Sequence, residues 1–482
     1  MIKPADKNLG LVVLNTSDYE AMCLTHLSDK DTYTPVPHFS SNHIYAKLRI
    51  ILNNHHVLYK DANASPPTLT KLASSLLQLQ NNENLRIAPI YCLPKLHKGI
   101  HAMPIPSRLI MPALLTATAA TSEFLDRELQ PILKLLKGVC TSSRHVIRDF
   151  YGARLPADCV FLCADVASLY PSIPIDFGIK AVKHTCQVLN CFPEAKLNLI
   201  LDLLYWVLSN NFCTFKNVVY HQTKGTAIGT PAAVSYANIV LYDMEHPILE
   251  RLRPSFYRRY IDDLLSALTR QLARELVDAF NAINSSIQLE AVTIGDTDCV
   301  FLDLAFTLQY DDSFPFCTVS HKLYQKPINK YQYIPYMSYH QPHVFSNFIT
   351  QELKRYLLAC SYTADFKSLV SLFQQRLARR GYPPHLVDDI LPTLPTRASL
   401  LDSLISSTAN ARPKTPTKPP PIITLSVPKL YPDPDWRQVF KIPPDLTAFV
   451  EYKAAFGKTN TIIGHKNPPS IATFIVSSTH KR

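Results

Sequence analysis

Two adjacent carboxylates, Asp262 and Asp263, are the residues of this sequence whose spacing most clearly suggests chemistry. They lie between two short apolar runs, 255–261 and 264–268, which the pattern predicts to be strands joined by a tight hairpin. Two neighbouring anions repel each other, and burying them without a counter-charge is costly. A divalent cation such as Mg²⁺, which prefers hard oxygen ligands, removes that repulsion. The alternative for this segment alone is a solvated turn, because Asp is common in turns.

A third carboxylate, Asp165, ends another apolar run of strand length, 160–166. From this run onward the predicted order is strand, helix, strand hairpin, helix and strand, as in a ferredoxin-like split βαβ sheet. In that topology the end of the first strand lies beside the tip of the later hairpin. We therefore expect Asp165 to approach Asp262 and Asp263, as phosphoryl transfer with two metal ions roughly 3.5–4 Å apart requires. A helix or turn cap is the alternative role for Asp165 alone.

A glycine-rich loop precedes the apolar helix that we predict at 232–249. Gly225 and Gly229 let the backbone approach a ligand or template closely. Pro231 suits the first turn of the helix that follows. Without further context, a simple helix-entry loop explains the same residues.

Basic residues punctuate the stretch 86–112, where Lys95, Lys98 and Arg108 have the chemistry to hold a triphosphate. Lys3 and Lys7 flank a similar short motif. The alternative for each residue is a solvated basic loop. The whole chain has 49 Lys and Arg against 38 Asp and Glu, a net charge of +11. That surplus favours a polyanionic partner, with nucleic acid the first candidate.

The chain has 482 residues, of which 47% are apolar, so we expect several globular domains. No apolar run is long enough to span a bilayer, and the first residues lack the apolar core of a signal peptide. We therefore expect no membrane association and an intracellular location, nuclear or cytoplasmic. Proline is frequent at 412–421, which predicts an extended linker. The residue pattern also predicts a helix at 67–82, a strand from Cys299 to Leu308 and a helical, basic region from Lys322 to about Leu391.

Taken in order, these motifs resemble those of a reverse transcriptase, most closely the Penelope-like retroelement branch. The matching stretches are 3–7, 93–98, 165–174, 225–231, 236–238 and 259–263, followed by 301–304, 324–327, 332–333 and 380–383. The resemblance covers roughly residues 1 to 392. Ile228 stands where the family usually has Met, a mild change.

The resemblance implies an α+β fold with right-hand polymerase architecture: fingers, a ferredoxin-like palm with an antiparallel sheet, and a helical thumb. The predicted boundaries are 1–150 for the fingers and fingers/palm region, 151–318 for the palm with motifs A, B and C, 319–392 for the thumb, 393–424 for a Pro-rich linker, and 425–482 for a basic C-terminal region with no assigned fold.

The resemblance also implies RNA-directed DNA polymerisation, with an RNA template, a DNA primer and dNTPs as partners. Asp165, Asp262 and Asp263 would be the catalytic carboxylates and would hold two Mg²⁺ ions, or Mn²⁺ in their place. Tyr170 would be the steric gate that excludes a 2′-hydroxyl.

The remaining implied substrate contacts come from the fingers and from the loop before the helix. Lys95 and Arg108 would hold the triphosphate, Gly229 and Pro231 would shape the wall under the template and the incoming base pair, and Tyr260 would lie beside the substrate. Two other functions stay open: a catalytically inactive or domesticated nucleic-acid binder, and a palm polymerase that uses a DNA template or makes RNA. A gate at Tyr170 disfavours ribonucleotides.

Overall fold

The structure is a computed structural model that describes residues 1–60, 87–96, 104–114, 116–295, 297–311, 313–338, 340–409, 422–428 and 460–466. The chain divides into two compact units, Met1–Lys330 and Tyr331–Arg482. The helix predicted at 67–82, the Pro-rich stretch 412–421 and Lys98 lie outside the described residues.

Helices and strands alternate along the first unit. Its described helices are α1 (Thr16–Leu27), α2 (Ser41–Lys60), α3 (Ala119–Leu133), α4 (Ser143–Phe150), α5 (Leu169–Ser172), α6 (Ile175–Val188), α7 (Glu194–Leu208), α8 (Ala233–Leu252) and α9 (Arg270–Ile283). Its described strands are β1 (Ile2–Pro4), β2 (Leu11–Val13), β3 (Tyr33–Pro35), β4 (Ala88–Pro89), β5 (Tyr91–Pro94), β6 (Ser107–Ile110), β7 (Leu155–Pro156), β8 (Cys159–Val166), β9 (Asn211–Phe215), β10 (Val218–Gln222), β11 (Phe256–Tyr260), β12 (Asp263–Thr269), β13 (Leu289–Gly295), β14 (Asp298–Phe301), β15 (Leu304–Tyr310) and β16 (Phe316–Leu323).

A four-stranded antiparallel sheet with the order β11-β12-β8-β13 is the centre of the first unit. Strand β8 takes a central position because its residues are almost all buried, as its continuous apolar sequence predicts. Helix α9 follows β12 directly, and the hydroxyl of Thr269 caps its first turn by accepting a hydrogen bond from the Leu272 N–H at 3.3 Å. This strand order is that of a ferredoxin-like palm, so the predicted fold class is confirmed.

The palm core lies between this sheet and the helices behind it. Helix α8 packs against α3, α6 and α9, and its residues are buried along most of its length. A separate apolar cluster joins α1 to β5 and β6 and contains Met22, Cys23 and Cys92. The ribbon of β5 and β6 therefore has its own small core beside the palm.

Two sequence predictions about elements are wrong. The strand predicted from Cys299 to Leu308 is a hairpin, β14 and β15, because Leu302 adopts a positive φ of 57° that turns the chain. The helical region predicted from Lys322 begins later, since β16 continues to Leu323 as part of a second sheet, β14-β15-β16-β7. Residues Lys322 and Leu323 pair with Ala305 and Leu304 of β15, so they are strand residues and not the start of a helix.

The second unit is helical in its described first part. Its helices are α10 (Pro342–Ala359), α11 (Thr363–Ala378), α12 (His385–Ile390) and α13 (Arg397–Ala409), and its described strands, β17 (Ile422–Pro428) and β18 (Asn460–Lys466), pair in parallel. Aromatic rings from Tyr333, Phe348 and Phe373 pack at centroid distances of 5.3–6.0 Å. Helix α13 lies within 393–424, the range predicted to be a Pro-rich linker, and its Leu401 is buried. No helix in the described ranges is both long and apolar enough to cross a membrane.

Candidate active site

The register of β8 and β12 brings the predicted carboxylates to one end of the palm sheet. Asp165 is the cross-strand partner of Asp263. The Val166 N–H donates a hydrogen bond to the Asp262 carbonyl at 3.0 Å. Opposed residues of an antiparallel pair lie on the same face with Cβ atoms about 4.5–5.5 Å apart. Asp165 therefore meets the distant pair Asp262 and Asp263, as the split βαβ topology predicted.

The turn that carries Asp262 has a strained backbone. Ile261 and Asp262 form a two-residue connection between β11 and β12, and Ile261 has a φ of 57°. Two-residue hairpins favour positive φ, but a β-branched residue rarely adopts it. Strain of this kind persists only where the surroundings hold the chain in place.

Negative charge accumulates at this end of the sheet. Partial burial is the main cause that raises the pKa of Asp263 to about 6, and the charges of Asp262 and Asp165 raise it further. Lys326 and Lys7 act in the opposite direction. The two lysines do not fully offset the repulsion among the three carboxylates. A divalent cation such as Mg²⁺, which prefers hard oxygen ligands, would do so.

The carboxylates do not form a closed ligand set in this structure. Among the residues it describes, no group of three or more His, Cys, Asp and Glu side chains is arranged to hold a metal ion. The backbone thus gathers the three predicted carboxylates, and their side chains still have to converge further on an ion.

Two lysines that sequence reasoning did not include in the candidate site act on it. Lys7 lies in a short 3₁₀ segment, Asp6–Asn8, with a φ of 60°, and Lys326 follows β16. Both lower the pKa of Asp263 through their charge. The signal for both was present, since each belongs to a stretch that matches the reverse transcriptase pattern, but spacing alone did not give the direction of either side chain.

The predicted gate residue, Tyr170, lies within electrostatic range of the carboxylate turn and of the basic ribbon. Tyr170 is in the short helix α5 and is partly buried. Burial is the main cause that raises its pKa, the Asp262 and Tyr260 charges add to the rise, and Arg108 opposes it. Tyr260 is the register partner of Asp263 across the turn. The structure therefore brings Tyr170, Tyr260 and Arg108 to the same site.

The glycine loop packs directly against the backbone of Tyr170 and Pro171. The Thr226 N–H donates to the Tyr170 carbonyl at 2.8 Å. Gly225 has a φ of +75°, and a Cβ placed on it would lie 2.4 Å from the Pro171 Cα. Only glycine allows this approach.

The other glycine of the loop contacts the segment that follows β6. Gly229 has a φ of +122°, and a Cβ there would lie 2.5 Å from the Met111 carbonyl oxygen. The Met111 N–H donates to the Ile228 carbonyl at 2.9 Å. We predicted that Pro231 lies in the first turn of the following helix. Helix α8 starts at Ala233, so Pro231 lies two residues before the helix begins.

The two predicted triphosphate residues differ in position. Arg108 is on β6 and its Nη2 lies 3.6 Å from the buried Asp6 carboxylate. The Lys95 N–H donates to the Pro106 carbonyl at 2.7 Å, at the end of the β5–β6 ribbon. Its charge acts on His26, whose pKa is lowered first by burial and then by Lys95. Of these two residues, Arg108 is the one that the structure links to the gate.

The palm sheet, with the glycine loop and the basic ribbon of β5 and β6 beside it, has the architecture of a right-hand polymerase fold. The telomerase of Candida albicans, solved in complex with a fragment of telomeric RNA, is similar to this chain with a TM-score of 0.51 and 11% identity. The match covers 85% of this chain and 66% of the telomerase chain, so this chain spans slightly less than two thirds of that protein. At this identity the likeness concerns the fold alone.

Other comparisons are weaker or cover less of the chain. The match to the apo telomerase of Candida tropicalis covers 85% of this chain and 66% of the telomerase chain, with a TM-score of 0.44 and 11% identity. The RNA-dependent RNA polymerase of a human picobirnavirus matches 68% of this chain and 60% of its own, with a TM-score of 0.40 and 10% identity. Residues 332–392 match a family model described as an animal helix-turn-helix domain. No curated protein matches the sequence.

Proposed function

We propose that the protein is an RNA-directed DNA polymerase that transfers a nucleotide from a dNTP to a primer 3′-hydroxyl. The observation that carries the proposal is the cross-strand pair of Asp165 and Asp263 with Asp262 in the adjoining turn. A right-hand fold with acidic residues at this end of the palm sheet has the donor set for two-metal nucleotidyl transfer.

In this proposal Asp165 and Asp262 hold two Mg²⁺ ions, or Mn²⁺, and Asp263 supports them. When bound, the ions would lower the pKa of the attacking hydroxyl and neutralise the leaving pyrophosphate. The protein's own part is to orient the reactants: Arg108 pairs with phosphate oxygens, and the Tyr170 ring occupies the space that a 2′-hydroxyl needs.

The choice of RNA as template and of a retroelement as source is a further part of the proposal. The motif order resembles the Penelope-like branch of reverse transcriptases. The Candida albicans telomerase with the same fold was solved with telomeric RNA, which supports an RNA partner. We propose that this activity takes place in the nucleus or the cytoplasm, where RNA templates occur.

Primer extension on an RNA template tests the proposal. Asp262→Asn should lower the extension rate by about 10³-fold or more, because a neutral amide cannot replace a metal-binding carboxylate. Asp158→Asn is a matched control, since Asp158 is exposed at the opposite end of β8. Extension that survives Asp262→Asn, with the fold verified by circular dichroism, would contradict the assigned site.

A second function, nucleic-acid binding without catalysis, is favoured by one observation. The helix-turn-helix match at 332–392 covers a part of the chain outside the palm. A protein of this kind should bind duplexes in a salt-sensitive way through phosphate contacts. Binding with no dNTP incorporation in Mg²⁺ or Mn²⁺ would favour this function over polymerisation.

A further inference from the structure

Arg259 is a fully buried arginine that lies three residues before Asp262. Its side chain has 0% exposure and belongs to β11. Nε donates to the Glu245 carboxylate at 2.5 Å, and Nη2 donates to the Asn238 carbonyl at 3.1 Å. Nη1 donates to the Asn238 side-chain oxygen at 2.7 Å and to the Ile261 carbonyl at 2.9 Å. One guanidinium therefore joins three residues through four hydrogen bonds.

The contact with Ile261 reaches the strained turn directly. Ile261 holds a φ of 57°, and its carbonyl belongs to the peptide bond that leads into Asp262. The backbone of Arg259 is fixed as well, because its N–H donates to Gly138 and its carbonyl accepts from Cys140, at 2.8 and 2.9 Å. A donor that is itself immobile can hold a strained acceptor in one orientation.

The other end of the network lies on helix α8. Asn238 and Glu245 are both buried in that helix, which begins just after the glycine loop. Burial raises the pKa of Glu245 and the Arg259 charge opposes the rise. Arg259 thus connects the helix that follows the loop to the turn that carries Asp262.

We propose that Arg259 is a positioning residue, which ties the Ile261 carbonyl to helix α8 and thereby fixes where Asp262 stands relative to Asp165. The inference rests on the proposed function, because the spacing of these carboxylates matters for holding a divalent cation. Arg259 is not one of the carboxylates that would bind the cation, but it would determine their relative positions. Partners of this kind around a metal site typically change metal affinity by about 10–100-fold when mutated.

A structural ion pair is the competing explanation, and a double variant separates the two. Arg259→Met alone would leave Glu245 buried and unpaired, which destabilises strongly. Arg259→Met with Glu245→Met removes both charges, and such replacements are often neutral for stability. The double variant therefore leaves no buried charge without a partner, and it removes the donor to Ile261 together with the two hydrogen bonds to Asn238. Arg259→Lys is the conservative variant, since a lysine keeps the charge beside Glu245 but cannot fork to Asn238 and Ile261 together.

Two measurements on the full chain, without nucleotide or nucleic acid, test the role. Electron paramagnetic resonance titration gives the affinity for Mn²⁺, and residue-resolved hydrogen exchange gives the protection of the Val166 amide, which bonds to the Asp262 carbonyl. The double variant should bind Mn²⁺ at least about tenfold more weakly and exchange Val166 faster, with an unfolding temperature near that of the wild type. Arg259→Lys should lose less of both.

Arg258→Lys is the matched control. Arg258 is the next residue on the same strand, and its Nε pairs with Asp149 at 2.7 Å, away from the turn. It should leave both readouts unchanged. Wild-type Mn²⁺ affinity and Val166 protection in a folded double variant would overturn the positioning role; if that variant does not fold, the same result with Arg259→Lys would do so. If the wild type binds no Mn²⁺, the proposed function fails, whereas Val166 exchange still decides the role of Arg259.

Discussion

Two antiparallel hairpins of the first unit end in charged residues, and they are built differently. The β11–β12 hairpin belongs to a four-stranded sheet, and a fully buried Arg259 holds its turn. The β5–β6 ribbon is a separate two-stranded sheet, and the Arg108 side chain on it is 43% exposed. The palm hairpin is thus held by the neighbouring strand β8 and by a buried side chain at its turn, whereas the ribbon is a pair of strands with a partly exposed arginine.

The difference fits what each hairpin holds in the proposed function, metal ions in the palm and a triphosphate at the ribbon. Carboxylates that share metal ions have to keep their spacing closely, so small displacements are expected to impair the chemical step. A cation that attracts a triphosphate acts over a longer range and tolerates movement. We therefore expect changes in the palm to lower kcat and changes on the ribbon to raise the KM for dNTP.

Gly225→Ala should give the largest effect on the palm side of this comparison. The added Cβ would lie 2.4 Å from the Pro171 Cα and 2.5 Å from the Tyr170 carbonyl, so backbone has to move. A displacement of about 1 Å at the gate should lower kcat by about 10²-fold. Single-turnover primer extension measures it.

Gly152→Ala controls for the backbone strain. Gly152 has a φ of +74°, close to the +75° of Gly225, but nothing lies within 4 Å of a Cβ placed there. The two variants share the strain of an alanine at positive φ and differ in the clash. Equal kcat values for the two would mean that close packing at the gate is irrelevant.

Tyr170→Ala probes a residue that is linked to both the palm and the ribbon. The Tyr170 carbonyl accepts a hydrogen bond from the glycine loop, and the charge of Arg108 acts on its ring hydroxyl. Without the ring, incorporation of ribonucleotides relative to deoxynucleotides should rise on the order of 10- to 100-fold. Tyr170→Phe keeps the ring and should keep the selection. Competition assays with paired dNTP and rNTP substrates give the ratio, and an unchanged ratio in Tyr170→Ala would remove the gate role.

Arg108→Ala sharpens the ribbon side of the comparison. Loss of a charge-assisted phosphate contact should raise the KM for dNTP by about tenfold with a smaller change in kcat. Lys95→Ala should change KM less than about threefold, because the charge of Lys95 acts beside His26. Steady-state kinetics with varied dNTP decides. A larger effect from Lys95 would restore the role that the resemblance implied and would contradict the distinction drawn between these residues.

The palm sheet could be predicted from sequence because each of its strands is marked by a local run of apolar residues. A buried apolar run ending in Asp165 and two runs flanking Asp262 specify strands, and the intervening helices fix the sheet order. The ferredoxin-like sheet was predicted for that reason, whereas the right-hand architecture was predicted from the resemblance to reverse transcriptases. The hairpin at Leu302 was missed because a leucine at positive φ has no sequence signal.

Side-chain networks were much less predictable. The sequence marks Arg259 only as the first residue of the matching stretch 259–263, and its four hydrogen bonds depend on how helix α8 packs behind the sheet. The contribution of Lys7 to the charge at Asp263 depends on a chain reversal at a φ of 60°. Spacing gives the register of a strand, but the direction of a long basic side chain is set by tertiary packing.

Asp263→Asn should give the smallest effect, on stability and its pH dependence. Because the pKa of Asp263 in the folded protein is about 6 and its ordinary value is 3.8, folding favours the protonated form. That contribution is fully present below the ordinary value and is lost as the pH rises through about 6. At pH 8 without divalent ions the variant should be more stable than the wild type by about 1 kcal/mol, a value discounted for solvent screening. At pH 5 the difference should shrink, and urea denaturation at both pH values measures it.

Divalent ions sharpen this last test. Mg²⁺ should stabilise the wild type more than Asp263→Asn at pH 8, because a cation binds the ionised carboxylates of the folded state and so favours that state. Asp158→Asn, at an exposed position, should respond to Mg²⁺ as the wild type does. If Mg²⁺ stabilises Asp263→Asn as much as the wild type, Asp263 contributes nothing to holding the ion. In that case Asp165 and Asp262 alone would hold the ion.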